Sequence, residues 1–436
     1  MRRAIRPLLL AVTLAAGLVP AAGGAQERVL IANLASRTGP FAASATPIMN
    51  GQRDYITLLN ERDGGLNGIT LHYTECEIDG RQAAAACYEK ARADALLVLP
   101  GSTGAMLEIL PKANEDEIPL LSSGDGPSSI AEGRTFRWAF NPPASYWDGV
   151  SMILRHVSDG EPNALQGKTV AALHLDSSFG REPLALLKHL SEQHGFRLLS
   201  VPVSLTEMQN QSAQWQRIDR AQPDFVLLWG RGPMNAGAIA GALETGYPMD
   251  RIIGIWSSAD AAALQRFGDA TAGYRAVTWN RPDAGAPLLR DIRNHVVAPG
   301  KSLADAAGGE LESVFYQRGL IMSALAVEAI LAAQEHFEER LPGPEQVRWG
   351  LENIAMDAGR LEALGLTGMV APFETRCADH TGHGGGWMLR WNGKAFVVAS
   401  DLLEADRGVL APLERQSAER FAKSDVAQPE DDACRP

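Results

Sequence analysis

The sequence predicts an α/β protein with two lobes, each built on a parallel sheet covered by helices. Short apolar runs alternate with amphipathic stretches of helical periodicity through most of the chain. The alternation is interrupted at Asn141-Pro142-Pro143 and again at Asn280-Arg281-Pro282, where proline disfavours regular structure. The 436 residues also exceed one ordinary core, at about 150 residues per domain. Two α/β units separated by proline-containing joints indicate two lobes.

The N-terminus has the parts of a secretory signal peptide. Arginines within the first six residues precede the apolar run Leu8–Val19, and small residues follow up to Ala25. The apolar run is shorter than the roughly 20 residues that a membrane-spanning helix needs. We therefore expect residues 1–25 to be removed, a mature chain that begins near Gln26, and a periplasmic location.

The first α/β unit is predicted from four strand-like runs. These runs are Arg28–Leu34, Ile69–Cys76, Ala93–Leu99 and Ile118–Ser122. Between the first two runs, apolar residues from Ile48 to Leu59 repeat at helical spacing, and Gly64-Gly65 is a helix-ending signal. Strand–helix–strand repetition predicts parallel pairing.

The second unit repeats this alternation after the first joint. Its predicted elements are the strands Thr169–Leu175, Arg197–Val203, Phe225–Trp229, Ile252–Trp256 and Tyr274–Trp279, and the helix Glu182–His194. A long helix is predicted from Leu311 to about His336. Asn392-Gly393 lies between two short runs of strand character and predicts a β-hairpin. The charged tail after Leu410 is predicted to be extended and held by Cys434.

The composition argues against partners that attract basic proteins. Lys and Arg number 40, Asp and Glu number 52, and the formal net charge is −12. A uniformly acidic chain repels phosphate backbones, and no Lys/Arg cluster suits an anionic membrane. We expect no nucleic-acid partner.

The four cysteines are expected to form disulfides, because an exported protein meets an oxidising compartment. They are Cys76, Cys87, Cys377 and Cys434, and they allow three pairings. Cys76 closes a predicted strand, and Cys87 lies in the helix that follows. We predict the local pairs Cys76–Cys87 and Cys377–Cys434, with free buried thiols as the alternative.

Several short motifs, in order along the chain, resemble those of a known family. They are Thr38-Gly39-Pro40, the run from Asn60 to Gly68, Gly101-Ser102-Thr103, Pro119–Ser123 and Asp176-Ser177-Ser178-Phe179-Gly180. With these motifs the chain resembles the periplasmic leucine/isoleucine/valine-binding proteins of ABC importers. It also resembles a subgroup without an established ligand, through Phe140–Pro143, Tyr146-Trp147 and Cys377–His380.

The resemblance implies a type I periplasmic binding protein with three hinge crossings. Lobe 1 would comprise 26–141 and 281–370, lobe 2 would comprise 142–280 and 371–410, and a C-terminal tail would cover 411–436. It implies a monomer that closes around a small ligand and then docks on permease subunits in the inner membrane. A ligand-sensing module for a membrane receptor, or a periplasmic enzyme, are the alternatives.

In such lobes the ligand lies beyond the C-terminal ends of the parallel strands, where loops and helix N-termini converge. Two loops of lobe 1 carry small hydroxyl and glycine residues suited to a carboxylate. In the resembled family these loops hold the carboxylate of an amino acid, which implies Ser102, Thr103, Ser122, Ser123, Gly124 and Gly126 as ligand residues here. The alternative is that these residues only end strands and cap helices.

Lobe 2 departs from the family pattern. Trp256 stands where amino-acid receptors carry an acid, Arg231 where they carry a tyrosine, and Phe179 replaces a second tyrosine. Because an arginine binds carboxylates and an indole cannot neutralise an ammonium, a larger apolar or aromatic acid is favoured. Three alternatives stay open. Arg231 pairs with Asp260 instead of a ligand, or Asp125 replaces the missing acid so that an amino acid still binds. The third is that Trp147, with its neighbour Tyr146, packs the hinge instead of stacking on the ligand.

The run Cys377, Asp379, His380 and His383 has a spacing compatible with metal ligation. A structural role is the preferred interpretation, because Cys377 is expected in a disulfide. The sequence contains no nucleophile elbow, zinc-protease motif or phosphate-binding loop. We expect a binding protein without catalytic residues, cofactor or metal.

Overall fold

The strands of the protein form a five-stranded, a seven-stranded and a two-stranded sheet within the described residues. The computed structural model describes residues 28–78, 83–122, 124–423 and 434. The predicted signal peptide, the start near Gln26 and the predicted ligand residue Ser123 lie outside these residues.

The strands, in chain order, are β1 (Arg28–Ala35), β2 (Thr70–Glu77), β3 (Leu97–Leu99), β4 (Leu120–Leu121), β5 (Ala139–Phe140), β6 (Thr169–Leu175), β7 (Arg197–Val203), β8 (Phe225–Trp229), β9 (Ile252–Gly254), β10 (Arg275–Thr278), β11 (Ala355–Met356), β12 (Phe373–Glu374), β13 (Trp387–Trp391) and β14 (Phe396–Val398). The helices are α1 (Ala42–Asp63), α2 (Ala84–Ala91), α3 (Thr103–Asp116), α4 (Tyr146–Val157), α5 (Ser178–Arg181), α6 (Leu184–His194), α7 (Ser212–Ala221), α8 (Pro233–Thr245), α9 (Ala261–Gln265), α10 (Pro287–Ile292), α11 (Val314–Phe337), α12 (Pro344–Glu352), α13 (Ala358–Ala363) and α14 (Arg407–Ala422).

The five-stranded sheet is the centre of lobe 1 and is parallel throughout, in the order β2-β1-β3-β4-β5. The four predicted strands and the helix between the first two are confirmed. The strand predicted from Ala93 begins only at Leu97, because a turn that follows α2 occupies residues 92–95.

The seven-stranded sheet is the centre of lobe 2, in the order β14-β13-β10-β9-β8-β6-β7. Strands β6 to β10 are parallel, and β13 and β14 form the predicted antiparallel hairpin at the edge. The strand predicted to reach Trp256 ends at Gly254, because residues 256–258 turn into a 3₁₀ helix. That turn directs the Trp256 indole away from the sheet and toward lobe 1.

Helix α11 is the core helix of lobe 1. It is long and apolar enough to cross a membrane, but 89% of its most apolar stretch is buried in the protein. It packs closely on α1, since a Cβ atom on Gly51 would lie 2.1 Å from the Tyr316 carbonyl oxygen, and one on Gly319 would lie 1.9 Å from that of Ile48. Glycine at both positions therefore allows the two backbones to touch.

The chain passes between the lobes three times, and the crossings pair with one another. After β5, Asn141 N–H donates to the His380 carbonyl (3.0 Å), and Gly384 N–H donates to the Pro143 carbonyl (2.8 Å). After β10, Arg281 N–H donates to the Met369 carbonyl (3.0 Å). The crossings therefore form one hinge, while the lobe boundaries at 141, 280 and 370 stay predictions.

The prediction of an extended tail is wrong for residues up to Ala422, which belong to α14. The helix forms because its few apolar residues recur on one side and are buried by both lobes. Leu410 packs in the core of lobe 2, and Ala418 packs in that of lobe 1. The predicted disulfides Cys76–Cys87 and Cys377–Cys434 are both confirmed.

Candidate functional site

A groove of about 760 Å³ lies between the two lobes. Its size suits a small organic ligand. Lobe 1 contributes apolar side chains such as Phe41 and Ile78, and lobe 2 contributes Leu175, Phe179 and Met208. The groove is therefore mostly apolar and receives side chains from both lobes at the C-terminal ends of their strands.

A second, smaller cavity of about 20 Å³ lies deeper between the lobes. It has room for about one water molecule, so the lobes are closed on each other here. Arg231 lines both the groove and the inner cavity, while Asp125 and Arg318 line the inner cavity. The charged groups thus lie at the inner end of an apolar groove.

A larger hollow of about 920 Å³ lies elsewhere on lobe 1, beside the C-terminal half of α11. It is lined by Asn67, which precedes β2, and by acidic side chains such as Glu335 and Glu339. It therefore lies at the N-terminal edge of the sheet and belongs to one lobe alone. The interlobe groove is the better candidate, because both lobes build it.

Asp125, Arg231 and Arg318 form what we call the cleft cluster. Arg231 Nη1 lies 3.7 Å from Asp125 Oδ1, and the same carboxylate oxygen accepts a hydrogen bond from the Tyr146 hydroxyl (2.9 Å). Burial lowers the pKa of Arg318 to about 9, although the Asp125 charge opposes this, so the guanidinium is charged at neutral pH. Two buried cations face one anion.

Arg318 is held by aromatic rings. Its Cζ atom lies 3.7 Å from the ring centroid of Trp256 and 5.0 Å from that of Trp279, and Nη1 donates to Asn280 Oδ1 (3.3 Å). Trp256 comes from lobe 2, and its Nε1 donates to the Gly124 carbonyl of lobe 1 (3.3 Å). The stacked guanidinium is therefore fixed in position and bridges the lobes.

Three N–H donors at the inner cavity have no hydrogen-bond partner among the described residues. They are Asn33 Nδ2, Arg231 Nε and Arg318 Nη2. The exposed fractions of these residues are only 3%, 8% and 2%. An unpaired buried donor costs about 1–3 kcal/mol. The cavity is thus rich in donors, but in this closed form it holds about one water molecule, so the acceptor groups of a ligand would enter it while the lobes are apart.

The hydroxyls predicted to bind ligand already have hydrogen-bond partners within the protein in this closed form. Ser102 Oγ accepts from Ala105 N–H at the start of α3 (3.2 Å), and Thr103 Oγ1 accepts from Gly126 N–H (3.0 Å). Ser122 Oγ donates within the loop and lies 2.9 Å from Asn141 Oδ1. Ser102 and Thr103 nevertheless line the groove.

Gly124 and Gly126 shape the loop that faces the cleft cluster. Their φ angles are +89° and +110°, which disfavour any residue with a Cβ atom. A Cβ atom on Gly124 would also lie 2.0 Å from the Trp279 ring and 2.4 Å from Arg318 Nη2. Glycine here lets the loop approach the guanidinium.

The predicted residues of lobe 2 divide into two groups. Phe179 and Arg231 line the groove, whereas Trp256 is buried beside the inner cavity and contacts Arg318. Trp147 packs the hinge region, where its Nε1 donates to the Glu182 carbonyl (3.1 Å). The acid that pairs with Arg231 is Asp125 and not Asp260. Asp260 caps α9 by accepting from Ala263 N–H.

Sequence reasoning missed Asn33 and Arg318. Arg318 is the first charged residue of α11 and stands alone in an apolar stretch that continues to Val327. A lone arginine in a helix destined for the core was a signal, since buried charges need a partner. Asn33 gave a similar signal, because it is the one polar residue of the apolar run from Val29 to Ala35 in β1.

A second group of charges lies beside the crossings, and we call Asp148, His383, Arg407 and Glu414 the hinge cluster; its two carboxylates are buried, whereas 35% of the Arg407 side chain is exposed. His383 Nδ1 lies 2.9 Å from Asp148 Oδ1, and Arg407 binds Glu414 through two contacts of 3.0 and 2.6 Å. Nearby, His380 stacks on Phe140 at 3.9 Å. The histidines of the C-x-D-H-x-x-H run thus contact hinge residues, and its preferred structural interpretation is consistent with these contacts.

Comparisons with known proteins place these features in context. A family model described as periplasmic binding protein matches residues 28–395. The sequence has no match among curated proteins. A Pseudomonas fluorescens-group structure described as an ABC transporter permease is similar at 31% identity and a TM-score of 0.84, over 93% of this chain and 99% of that one.

Two further structures share the fold at lower identity. A branched-chain amino acid ABC transporter protein from Thermus thermophilus with bound valine has 23% identity and a TM-score of 0.72, over 88% of this chain and 99% of that one. A solute-binding protein from R. palustris in complex with benzoate has 17% identity and a TM-score of 0.64, over 87% and 97%. One fold therefore accommodates ligands of different chemistry.

Proposed function

The chain belongs to the family of periplasmic binding proteins, and from that premise we propose that it is the solute receptor of an ABC importer and binds a small carboxylate between its lobes. The observation that carries this proposal is the position of Arg231, which lines both the apolar groove and the inner cavity. A guanidinium suits a carboxylate, and the groove suits the remaining body of the ligand.

Closure of the hinge is the proposed mechanism. Several contacts join the lobes in the closed form, among them those of Tyr146 with Asp125, of Trp256 with Gly124, and of Glu182 of lobe 2 with the Ser128 N–H of lobe 1 (2.6 Å). A ligand that adds contacts to both lobes shifts the population further toward this form. The closed receptor would then dock on permease subunits as a monomer.

Export is part of the proposal, because a receptor of this kind acts in the periplasm. It is supported by the family membership and by the signal-peptide features of residues 1–25. The mature chain would begin near Gln26. Intact mass of the secreted protein checks this, and a mass that still includes residues 1–25 would contradict it.

A ligand screen tests the receptor role. We expect at least one carboxylate, from a panel of amino acids, aromatic acids and alkyl acids with their amides, to raise the melting temperature. Calorimetry should then give one ligand per chain, and X-ray scattering should show a smaller radius of gyration with saturating ligand. Binding without any change in radius would contradict hinge closure, and no response to any carboxylate would contradict the carboxylate proposal.

A further inference from the structure

We infer that the solute is a monocarboxylate with an apolar or aromatic body and no amino group, and that Arg318 of α11 is a residue that selects for it. This inference rests on the proposed function and makes its ligand class specific. It follows from the charge balance, the surplus of hydrogen-bond donors and the lining of the groove.

The charge balance of the cleft cluster requires an anion. Asp125 is the single acid that lines the inner cavity within the described residues, and it faces Arg231 and Arg318. An isolated charge in a site of low polarity is unfavourable until a counter-charge arrives. One carboxylate brings the two arginines and Asp125 to neutrality.

The surplus of donors excludes an ammonium on the same ligand. Asn33 Nδ2, Arg231 Nε and Arg318 Nη2 are N–H groups that await acceptors, and a carboxylate offers two acceptor oxygens without donors. An ammonium adds donors and a positive charge beside two guanidinium groups. Among the described residues, two acids line the groove and the inner cavity: Asp125 already accepts from Tyr146 and pairs with Arg231, and Glu108 accepts from Ala85 N–H (3.0 Å).

The groove determines the rest of the ligand. From Arg231 outward its walls include Phe179, Leu175, Met208 and Phe41, which gives an apolar path on both lobes. A body of hydrocarbon or an aromatic ring would be desolvated there at little cost. Hydroxyl residues such as Ser177 and Ser178 also line the groove, but apolar residues outnumber them, so a sugar would leave part of its hydroxyl groups facing apolar walls.

Arg318 is suited to select because it is fixed before the ligand arrives. Trp256 stacks on one side at 3.7 Å, and Asn280 binds Nη1. Gly124 allows the loop of lobe 1 to approach Nη2. A guanidinium with so little freedom loses little entropy when it binds a carboxylate, which strengthens discrimination.

The first experiment compares three probes that share a phenylpropyl skeleton on the wild-type protein. They are 3-phenylpropionate, the neutral 3-phenylpropanamide and the zwitterion L-phenylalanine, and calorimetry measures each affinity. A second set, hexanoate, hexanamide and L-norleucine, repeats the comparison on an alkyl body. We expect a carboxylate to bind at least ten-fold more tightly than its amide and its amino acid. Equal or tighter binding of the amino acid, or no binding of either carboxylate, overturns the inference.

These outcomes separate the inference from the proposed function. Tight binding of an amino acid alone would leave the chain a carboxylate receptor while refuting the ligand class. Absence of binding across the wider panel would refute both.

The second experiment tests Arg318 itself. Arg318→Met keeps the length of the side chain and removes the charge, so we expect a loss of carboxylate affinity of about ten- to 150-fold. Arg318→Lys restores the charge without the planar fork, and we expect an intermediate loss. The affinity for the amide should change little in either variant. General damage to the fold would instead weaken the binding of the carboxylate and of the amide alike.

Arg348→Met is the matched control, because Arg348 is a partly buried arginine, 12% of its side chain being exposed, whose Cζ lies 5.2 Å from the Trp138 ring centroid, outside the cleft. It should keep wild-type affinity. Wild-type carboxylate affinity in Arg318→Met would overturn the role of Arg318. If that variant does not fold, Arg318→Lys decides: its carboxylate affinity must fall while its amide affinity holds.

Discussion

The cleft cluster and the hinge cluster are both groups of largely buried charges where the lobes meet, yet their balance differs. In the hinge cluster, His383 pairs with Asp148, and Arg407 pairs with Glu414. His383 Nε2 also lies 3.4 Å from Asp379 Oδ1. In the cleft cluster, two arginines share one aspartate and leave N–H groups without a partner among the described residues.

This difference separates a structural network from a binding site. Buried charges alone do not identify a site, because paired charges can simply hold elements together. The hinge cluster joins α4, the third crossing and α14, and its opposite charges satisfy one another. In the part of the chain that the structure describes, the cleft cluster lacks a second negative charge and has N–H donors without acceptors, and a carboxylate ligand can supply both. Substitutions should therefore affect stability at the hinge and affinity at the cleft.

The largest expected effect is that of Asp148→Asn on stability. Burial alone would raise the pKa of Asp148, but the charges of His383 and Arg407 more than offset this and leave it below its ordinary value. Removing the charge takes away the shorter of the two carboxylate contacts of His383 and leaves it with Asp379 alone, so the free energy of unfolding should fall by about 3–5 kcal/mol. Urea unfolding measures this, with the exposed Asp401→Asn as control. A loss below about 1 kcal/mol would show that the pairing is not stabilising.

Arg231→Ala should affect ligand affinity and leave stability nearly unchanged, and its effect should be the next largest. It removes a cation from a cluster that has one in excess, so stability should change little. Carboxylate affinity should fall by roughly 1.5–3 kcal/mol, about ten- to 150-fold. Calorimetry measures the affinity, and the exposed Arg266→Ala serves as control. If the variant binds as tightly as wild type, Arg231 is only a partner of Asp125.

Trp256→Glu should make the cleft cluster resemble the hinge cluster by adding the missing negative charge. We expect L-phenylalanine to gain about ten-fold, or about 1.4 kcal/mol, over the matched control Trp256→Gln. The carboxylate 3-phenylpropionate should lose affinity in the same comparison. Both variants remove the same indole, so their difference reports the charge alone. If the ratio of the affinity for L-phenylalanine to that for 3-phenylpropionate is the same in both variants, the role of charge balance is contradicted.

The sequence was sufficient to predict most of the fold, because local signals agree with the tertiary structure. The strands β6, β7 and β8 begin and end as predicted, since each is an apolar run between turn residues. The prediction was wrong for α14, whose apolar residues are few. They become a core contact only because both lobes lie beside them. A contact between distant segments is not visible in local periodicity.

The site was less predictable for the same reason. Arg231 and Phe179 were found because they occupy positions of a resembled motif at strand ends, and both line the groove. Arg318 lies nearly 200 residues after Asp125 in a helix, and only the folded chain brings them together. The hydroxyls of Ser102, Thr103 and Ser122 already bond to Ala105, Gly126 and Asn141 in this form. Their role toward ligand stays a proposal.

The smallest expected effect is the pH dependence that His383 gives the hinge. Burial disfavours the charged imidazole, but Asp148 and Asp379 outweigh burial and raise the pKa of His383 to about 10. Arg407 and Glu414 of α14 also face this group. Because the folded pKa exceeds the unfolded value of about 6.5, this stabilisation is complete below pH 6.5 and is lost as pH rises toward 10.

Between pH 7 and pH 8 the free energy of unfolding should therefore fall by up to about 1 kcal/mol through His383. His383→Asn should remove this part of the slope, and asparagine tolerates the left-handed backbone at this position, where φ is +46°. Urea unfolding at the two pH values measures the difference, and the exposed His189→Asn should keep the wild-type slope. An unchanged slope in His383→Asn would mean that the imidazole is neutral in the folded protein. The hinge cluster would then carry an unbalanced negative charge, and charge balance would no longer distinguish it from the cleft.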